Sequence, residues 1–133
     1  PVSGNGFQGA FIYRYESQGN GLYGGVSMTV IEATAQNFDQ LIQGEYVMVD
    51  FYGDHCGACA FTAPFLRQAA SDMAYITFVK VNTTHQSELA KRFDIKALPT
   101  FVYFRKGKEV YRNAGGMTLE TIHKELSKLL YRI

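Results

Sequence analysis

Cys56 and Cys59 are the two cysteines of the chain, separated by Gly57 and Ala58. A disulfide between them closes a very small loop and would restrict the unfolded chain little, so structural bridging explains the pair poorly. Their surroundings point to chemistry instead. Tyr46-Val-Met-Val-Asp-Phe-Tyr52 is nearly all apolar, as a strand buried on both faces requires. Gly53-Asp54-His55 then reads as a connecting loop with Cys56 at a helix start, and a helical stretch follows from about residue 59 to 72. Free backbone N–H groups and the positive dipole end at that position stabilise an anion. A cysteine thiol, with an ordinary pKa of about 8.5, is thereby shifted toward the thiolate, which is the attacking species. Cys59 lies about one helical turn further in, on the same face and more buried, where it can attack a mixed disulfide formed at Cys56 and release the substrate.

Two other readings of the pair are weaker. A structural zinc site needs about four ligands, and the three histidines His55, His85 and His123 are far apart in sequence; no metal is expected. Two inert cysteines at this spacing are the other alternative, but Cys-x-x-Cys inside an alternating strand–helix pattern is a strong redox signal.

Asp50 falls inside the most apolar strand, six positions before Cys56. Burying a carboxylate is costly and tends to raise its pKa, which suggests a functional reason: Asp50 beneath the pair could shuttle the proton of Cys59. The alternative is a strand-end acid facing solvent. Lys80, in the neighbouring strand, could pair with Asp50 and tune its proton affinity, or simply face outward. Leu98-Pro99-Thr100 opens a later strand, where a proline without an N–H is tolerated. A cis bond would present the Leu98 backbone to an extended substrate beside the sulfurs, and a trans strand-entry proline is the plainer reading.

The elements that must position these groups follow from periodicity. Residues 26–31 read as a strand. Thr34 can cap a short helix with Phe38, Leu41 and Ile42 at i, i+3 and i+4. Residues 76–81 form the next strand and 88–93 a short helix. Residues 100–104 and 109–112 are strands joined by a turn at Lys106-Gly107. Leu119, Ile122, Leu126, Leu129 and Leu130 mark one face of a last helix, capped by Thr118 and carrying a Glu120–Lys124 pair. The order β-α-β-α-β-α-β-β-α requires parallel crossovers first and an antiparallel pair at Gly107. The expected fold is α/β, a mixed five-stranded sheet flanked by about four helices.

Residues 1–25 differ in texture, with seven glycines interleaved with Phe7, Phe11, Tyr13, Tyr15 and Tyr23. They read either as a mobile leader or as a docked hairpin turning at Asn20-Gly21, followed by one domain over 26–133. Across the 133 residues, 47% apolar and 19% charged is ordinary globular composition. A net charge of +1 with scattered Lys and Arg implies no nucleic-acid partner, and no apolar run is long enough to span a membrane.

Taken together, these motifs resemble the thioredoxin family. Val-Asp-Phe-Tyr-Gly-Asp-His-Cys-Gly-Ala-Cys at residues 49–59 is similar to the family's Val-Asp-Phe-Trp-Ala-x-Trp-Cys-Gly-Pro-Cys. Pro64 matches the proline of the family's active-site helix, and Val79-Lys80-Val81-Asn82 its Lys-containing strand. Ile95-Lys-Ala-Leu-Pro-Thr100 resembles Ile-x-x-Ile-Pro-Thr, where the proline is cis. Phe104-Arg-Lys-Gly107 and Gly115 also have counterparts, and the likeness runs over residues 26–133. The resemblance implies Cys56 as nucleophile, Cys59 as resolving thiol, Asp50 as buried proton shuttle and Lys80 as its companion. It further implies that Gly57, Ala58, Leu98, Pro99 and Gly115 receive flexible protein segments, and that a thioredoxin reductase supplies electrons. No cofactor beyond the Cys56–Cys59 disulfide is expected, and the chain is expected to act as a monomer.

Two departures bear on direction. Ala58 replaces a proline, adding an N–H donor near Cys56, and His55 replaces a tryptophan; when protonated, it would favour the thiolate. Both would make the couple more oxidising, although His55 also reads as a solvated loop residue. The first function expected is nevertheless reduction of protein disulfides, because Leu98 before Pro99 resembles the reducing members of the family. The second is oxidation or isomerisation of disulfides in exported or organellar proteins. The third is a binding module without catalysis, against which the retention of both cysteines and Asp50 argues. A cytoplasmic location is expected, with an exported or organellar one after removal of a targeting segment as the alternative.

Overall fold

The computed structural model describes residues 29–131. In chain order the elements are β1 (Val30–Glu32), α1 (Phe38–Leu41), β2 (Val47–Tyr52), α2 (Gly57–Asp72), β3 (Thr77–Asn82), α3 (Ser87–Arg92), β4 (Thr100–Arg105), β5 (Lys108–Ala114) and α4 (Leu119–Leu130). The strands form one mixed sheet in the order β1-β3-β2-β4-β5. β3 is parallel to both β1 and β2, whereas β4 is antiparallel to β2 and β5. This is the five-stranded α/β arrangement expected. The extension over 1–25, and residues 26–28 of the first expected strand, lie outside the described residues.

Period-two alternation divides β2 between two cores. Val47, Val49 and Phe51 join Phe38, Ile42, Leu89 and Phe104 on the side of α1 and α3. Met48 joins Leu66, Ala69, Phe78, Phe101, Tyr103, Ile122 and Leu126 on the side of α2 and α4. Asp50, two residues beyond Met48, therefore points toward α2. The face of a single residue in β2 thus follows from strand parity alone.

Several boundaries differ from expectation for local reasons. Cys56 itself caps α2, so Gly57 and Ala58 enter the first turn and the helix begins before Cys59. Thr34 does not cap α1: its carbonyl accepts the N–H groups of Asn37 and Phe38 in a preceding turn, and Asn37 becomes the N-cap. Thr118 does cap α4, accepting the N–H of Thr121. The Glu120–Lys124 pair does not form, and within this helix Lys128 bonds Glu125 at 3.1 Å instead. Lys106 and Gly107 both have positive φ, 50° and 85°, which suits a two-residue hairpin turn whose twist matches the strands.

Candidate active site

Cys56 stands where β2 has ended and α2 begins. Its backbone is extended, as an N-cap residue's must be, and its Sγ accepts the N–H of Cys59 at 3.2 Å. The two cysteines are joined as a disulfide with their Cα atoms 5.2 Å apart. Cys59 is buried on the inner face of α2, and Cys56 is half-exposed. One sulfur is thus reachable from solvent and the other is shielded behind it. The loop before them is fastened: the Asp54 N–H donates to Thr84 Oγ1 at 3.0 Å, and Asn82 Nδ2 donates to the Asp54 carboxylate at 3.1 Å.

Asp50 is buried beneath this pair, and its Oδ1 has no hydrogen-bond partner among the described residues. Loss of water disfavours the carboxylate and pushes its pKa from 3.8 up to about 7; nearby Lys80 opposes that rise and Glu32 adds to it. A solvent-facing acid is therefore not what the structure contains. One cavity of about 510 Å³ is lined by Asp50, Cys56, Cys59, Lys80 and Arg67, so the buried carboxyl and the sulfurs share an opening.

Lys80 is the register partner of Asp50 on β3, but its ion pair is with Glu32, at 3.7 Å. The expected Asp50 contact is replaced because Glu32, opposite Lys80 on β1, is more exposed and costs less to keep charged. Lys80 acts on Asp50 only at longer range.

The residues expected to receive substrate come from three segments that the fold brings together. Gly57 and Ala58 are exposed beside the sulfurs. Leu98 is 38% exposed, while Pro99 is buried and its peptide bond is cis. The Gly115 N–H donates to the Pro99 carbonyl at 2.9 Å, and Gly115 has φ of 102°, a conformation that favours glycine. A Cβ on Gly53 would lie 2.8 Å from Cδ1 of Leu98, and one on Gly116 would lie 3.4 Å from the Ala58 carbonyl oxygen. These close approaches join the loop before Cys56, the segment at Pro99 and the Gly115-Gly116 turn into one surface. His55 is exposed, with φ of 57° and no hydrogen-bond partner among the described residues, a placement that matches a solvated loop histidine.

Sequence reading passed over four contributors. Phe61 is 53% exposed beside this surface, which follows from the buried spacing of Cys59, Thr62 and Leu66 on α2. Thr62 is a buried hydroxyl on that inner stripe, a signal that was available. Gly53 and Glu32 carried no local signal, since only strand order and loop approach give them neighbours. Among the described residues, no group of three or more His, Cys, Asp or Glu could hold a metal, and no helix is long and apolar enough to cross a membrane.

Comparison with known proteins agrees with this geometry. The family model described as Thioredoxin matches residues 29–128. The thioredoxin of Mycoplasma pneumoniae is 36% identical over 90 residues, which cover 68% of this chain and 88% of that protein. The protein disulfide-isomerase of Drosophila melanogaster is 37% identical over 98 residues, 70% of this chain but 20% of that protein. The X-ray structure of Fasciola hepatica thioredoxin matches with a TM-score of 0.69 and 30% identity, covering 75% of this chain and 98% of that one.

Proposed function

This chain belongs to the thioredoxin family and is a thiol–disulfide oxidoreductase, and we propose that it runs as a reductase of protein disulfides through the following residues. The Cys56 thiolate attacks one sulfur of a substrate disulfide, forming a Cys56–substrate bond and expelling the other substrate sulfur as a thiolate. Cys59 then gives its proton to the Asp50 carboxylate, and its thiolate attacks Cys56 Sγ. The second substrate thiolate leaves, and the Cys56–Cys59 disulfide forms. Two electrons have passed from the dithiol to the substrate, and Asp50 returns its proton through the shared cavity to solvent or to the departing sulfur. A thioredoxin reductase restores the dithiol.

The observation that carries this reading is the asymmetry of the pair: a half-exposed Cys56 at a helix N-cap in front of a buried Cys59, above a buried carboxyl. Gly57, Ala58, Leu98, Pro99 and Gly115 bind an extended segment of the substrate, with Phe61 at the rim. Lys80 lowers the proton affinity of Asp50, and His55 acts on Cys56 only when protonated. The chain works as a monomer in a reducing, cytoplasmic setting, which suits a protein whose two cysteines are both spent on redox chemistry.

Insulin-disulfide reduction, driven by dithiothreitol and then by a thioredoxin reductase, tests the assignment. Cys56→Ser should abolish turnover, while Cys59→Ser should stop at a stable mixed disulfide on Cys56. A stable mixed disulfide on Cys59 in the Cys56→Ser variant would reverse the two roles. The oxidising alternative draws on Ala58 and on the isomerase likeness; efficient thiol oxidation with poor reductase coupling would favour it.

A further inference from the structure

Glu32, Lys80, Asp50 and Phe101 form one lateral row across β1, β3, β2 and β4. In that row the Lys80 ammonium lies between two carboxyl groups but is drawn to the outer one, 3.7 Å from Glu32. Tyr52, one pleat further along β2, reinforces this choice. Its hydroxyl is 2.9 Å and 3.0 Å from the two Glu32 oxygens, and its ring lies 5.7 Å from the Lys80 ammonium. Meanwhile the buried Oδ1 of Asp50, which a cation could satisfy, has no hydrogen-bond partner among the described residues.

The geometry points to Glu32 as a positioning residue for the proton step: with Tyr52 it holds Lys80 away from Asp50, and thereby sets how readily Asp50 releases a proton. This rests on the reading of Asp50 as the proton carrier. The titratable groups around Asp50 are Lys80 from β3, Glu32 from β1, Tyr52 from β2, Tyr103 from β4, and the two sulfurs with Arg67 and His55 from the α2 side. Both phenols are pushed above their ordinary values by burial and stay neutral in the working range. After burial itself, Lys80 and Glu32 are the groups that act on the Asp50 carboxyl, with opposite signs.

A carbon-13 NMR titration of the Asp50 carboxyl in the reduced protein tests this, alongside pH–rate profiles for insulin-disulfide reduction. Glu32→Gln frees Lys80 to approach Asp50, so the Asp50 midpoint falls by roughly one pH unit and the rate inflection moves with it. Lys80→Met raises the midpoint, and in that background Glu32→Gln loses more than half of its effect, because its main route of action is gone. An unmoved midpoint in Glu32→Gln, or an equal fall with and without Lys80, overturns the inference. Asp50→Asn separates it from the reading it rests on. If that variant keeps the rate inflection, Asp50 is not the proton carrier, while the carboxyl titration still decides for or against Glu32.

Discussion

The hydroxyl of Thr62 accepts the backbone N–H of Met117 at 2.9 Å and donates to the Ala58 carbonyl at 2.9 Å. Both Thr62 and Met117 are buried, so this hydroxyl ties the helix that carries the sulfurs to the turn that carries Gly115 and Gly116. Thr62→Val keeps the shape but leaves the Met117 N–H buried without a partner, which costs about 1–3 kcal/mol. Thr62→Ser should recover most of that loss. Urea midpoints of the oxidised proteins measure it, and a valine variant as stable as the parent would show that the bond contributes nothing.

Asp50 makes stability depend on pH with a definite sign. Its folded pKa of about 7 lies above the ordinary 3.8, so the proton binds the folded state more tightly than the unfolded one. The contribution is complete below about pH 4 and is lost as pH rises through about 7. The gap of about three pH units corresponds to at most about 4 kcal/mol. Asp50→Asn removes this titration, so its stability relative to the parent should increase from about pH 4 to about pH 7 and level off above it. Denaturant unfolding across that range reads the trend; a constant difference would mean that the carboxyl does not titrate there.

Ala58 should set the redox poise. In the disulfide form the Cys56 sulfur takes its hydrogen bond from Cys59, and Ala58 donates none to it. On reduction the free Ala58 N–H, at the second position of the helix, faces a thiolate that it can stabilise. Ala58→Pro removes that donor and destabilises the reduced form, so the reduction potential should become more negative. A change of ~30 mV corresponds to ~1.4 kcal/mol. Equilibration against glutathione buffers gives the value, and no change would refute the role.

Asp94 offers a test remote from the sulfurs. It follows the last turn of α3 with φ of 55°, where its N–H donates to the Lys91 carbonyl and the Ile95 N–H donates to that of Ala90. That left-handed helix-ending position favours glycine. Asp94→Gly should stabilise the protein by roughly 0.5–1 kcal/mol, the relief of side-chain crowding less the entropy that glycine adds to the unfolded chain. The gain should appear in the urea midpoint with disulfide-reducing activity unchanged. A loss of stability would mean that the exposed Asp94–Lys96 pair, at 3.3 Å, matters more than the backbone.

Much of the site was legible because its determinants are local. A buried strand, a short loop and a cysteine at a helix start lie within one stretch of sequence, and the i, i+3 spacing of the sulfurs already places both at one end of one helix. Strand parity likewise carries Asp50 to the face that α2 covers, since Met48 and Asp50 are two residues apart in an unbroken strand. The capping of α4 by Thr118 is local in the same way. The cap of α1 was misplaced because a turn, which periodicity does not register, came between Thr34 and the helix.

Residue types and their spacing were enough to give the kind of chemistry and the two sulfur atoms that carry it. Which charge Lys80 answers to, the approach of Leu98 to Gly53 and the bond from the Met117 turn to Thr62 emerge once the strands and helices are packed. The physical reason is distance along the chain. Spacing and capping act between residues a few positions apart, and any short window shows them. Lys80 chooses between Asp50 and Glu32 because β3 lies between β2 and β1, so that two carboxyl groups far apart in sequence flank one ammonium, and the less buried of them holds its charge at lower cost.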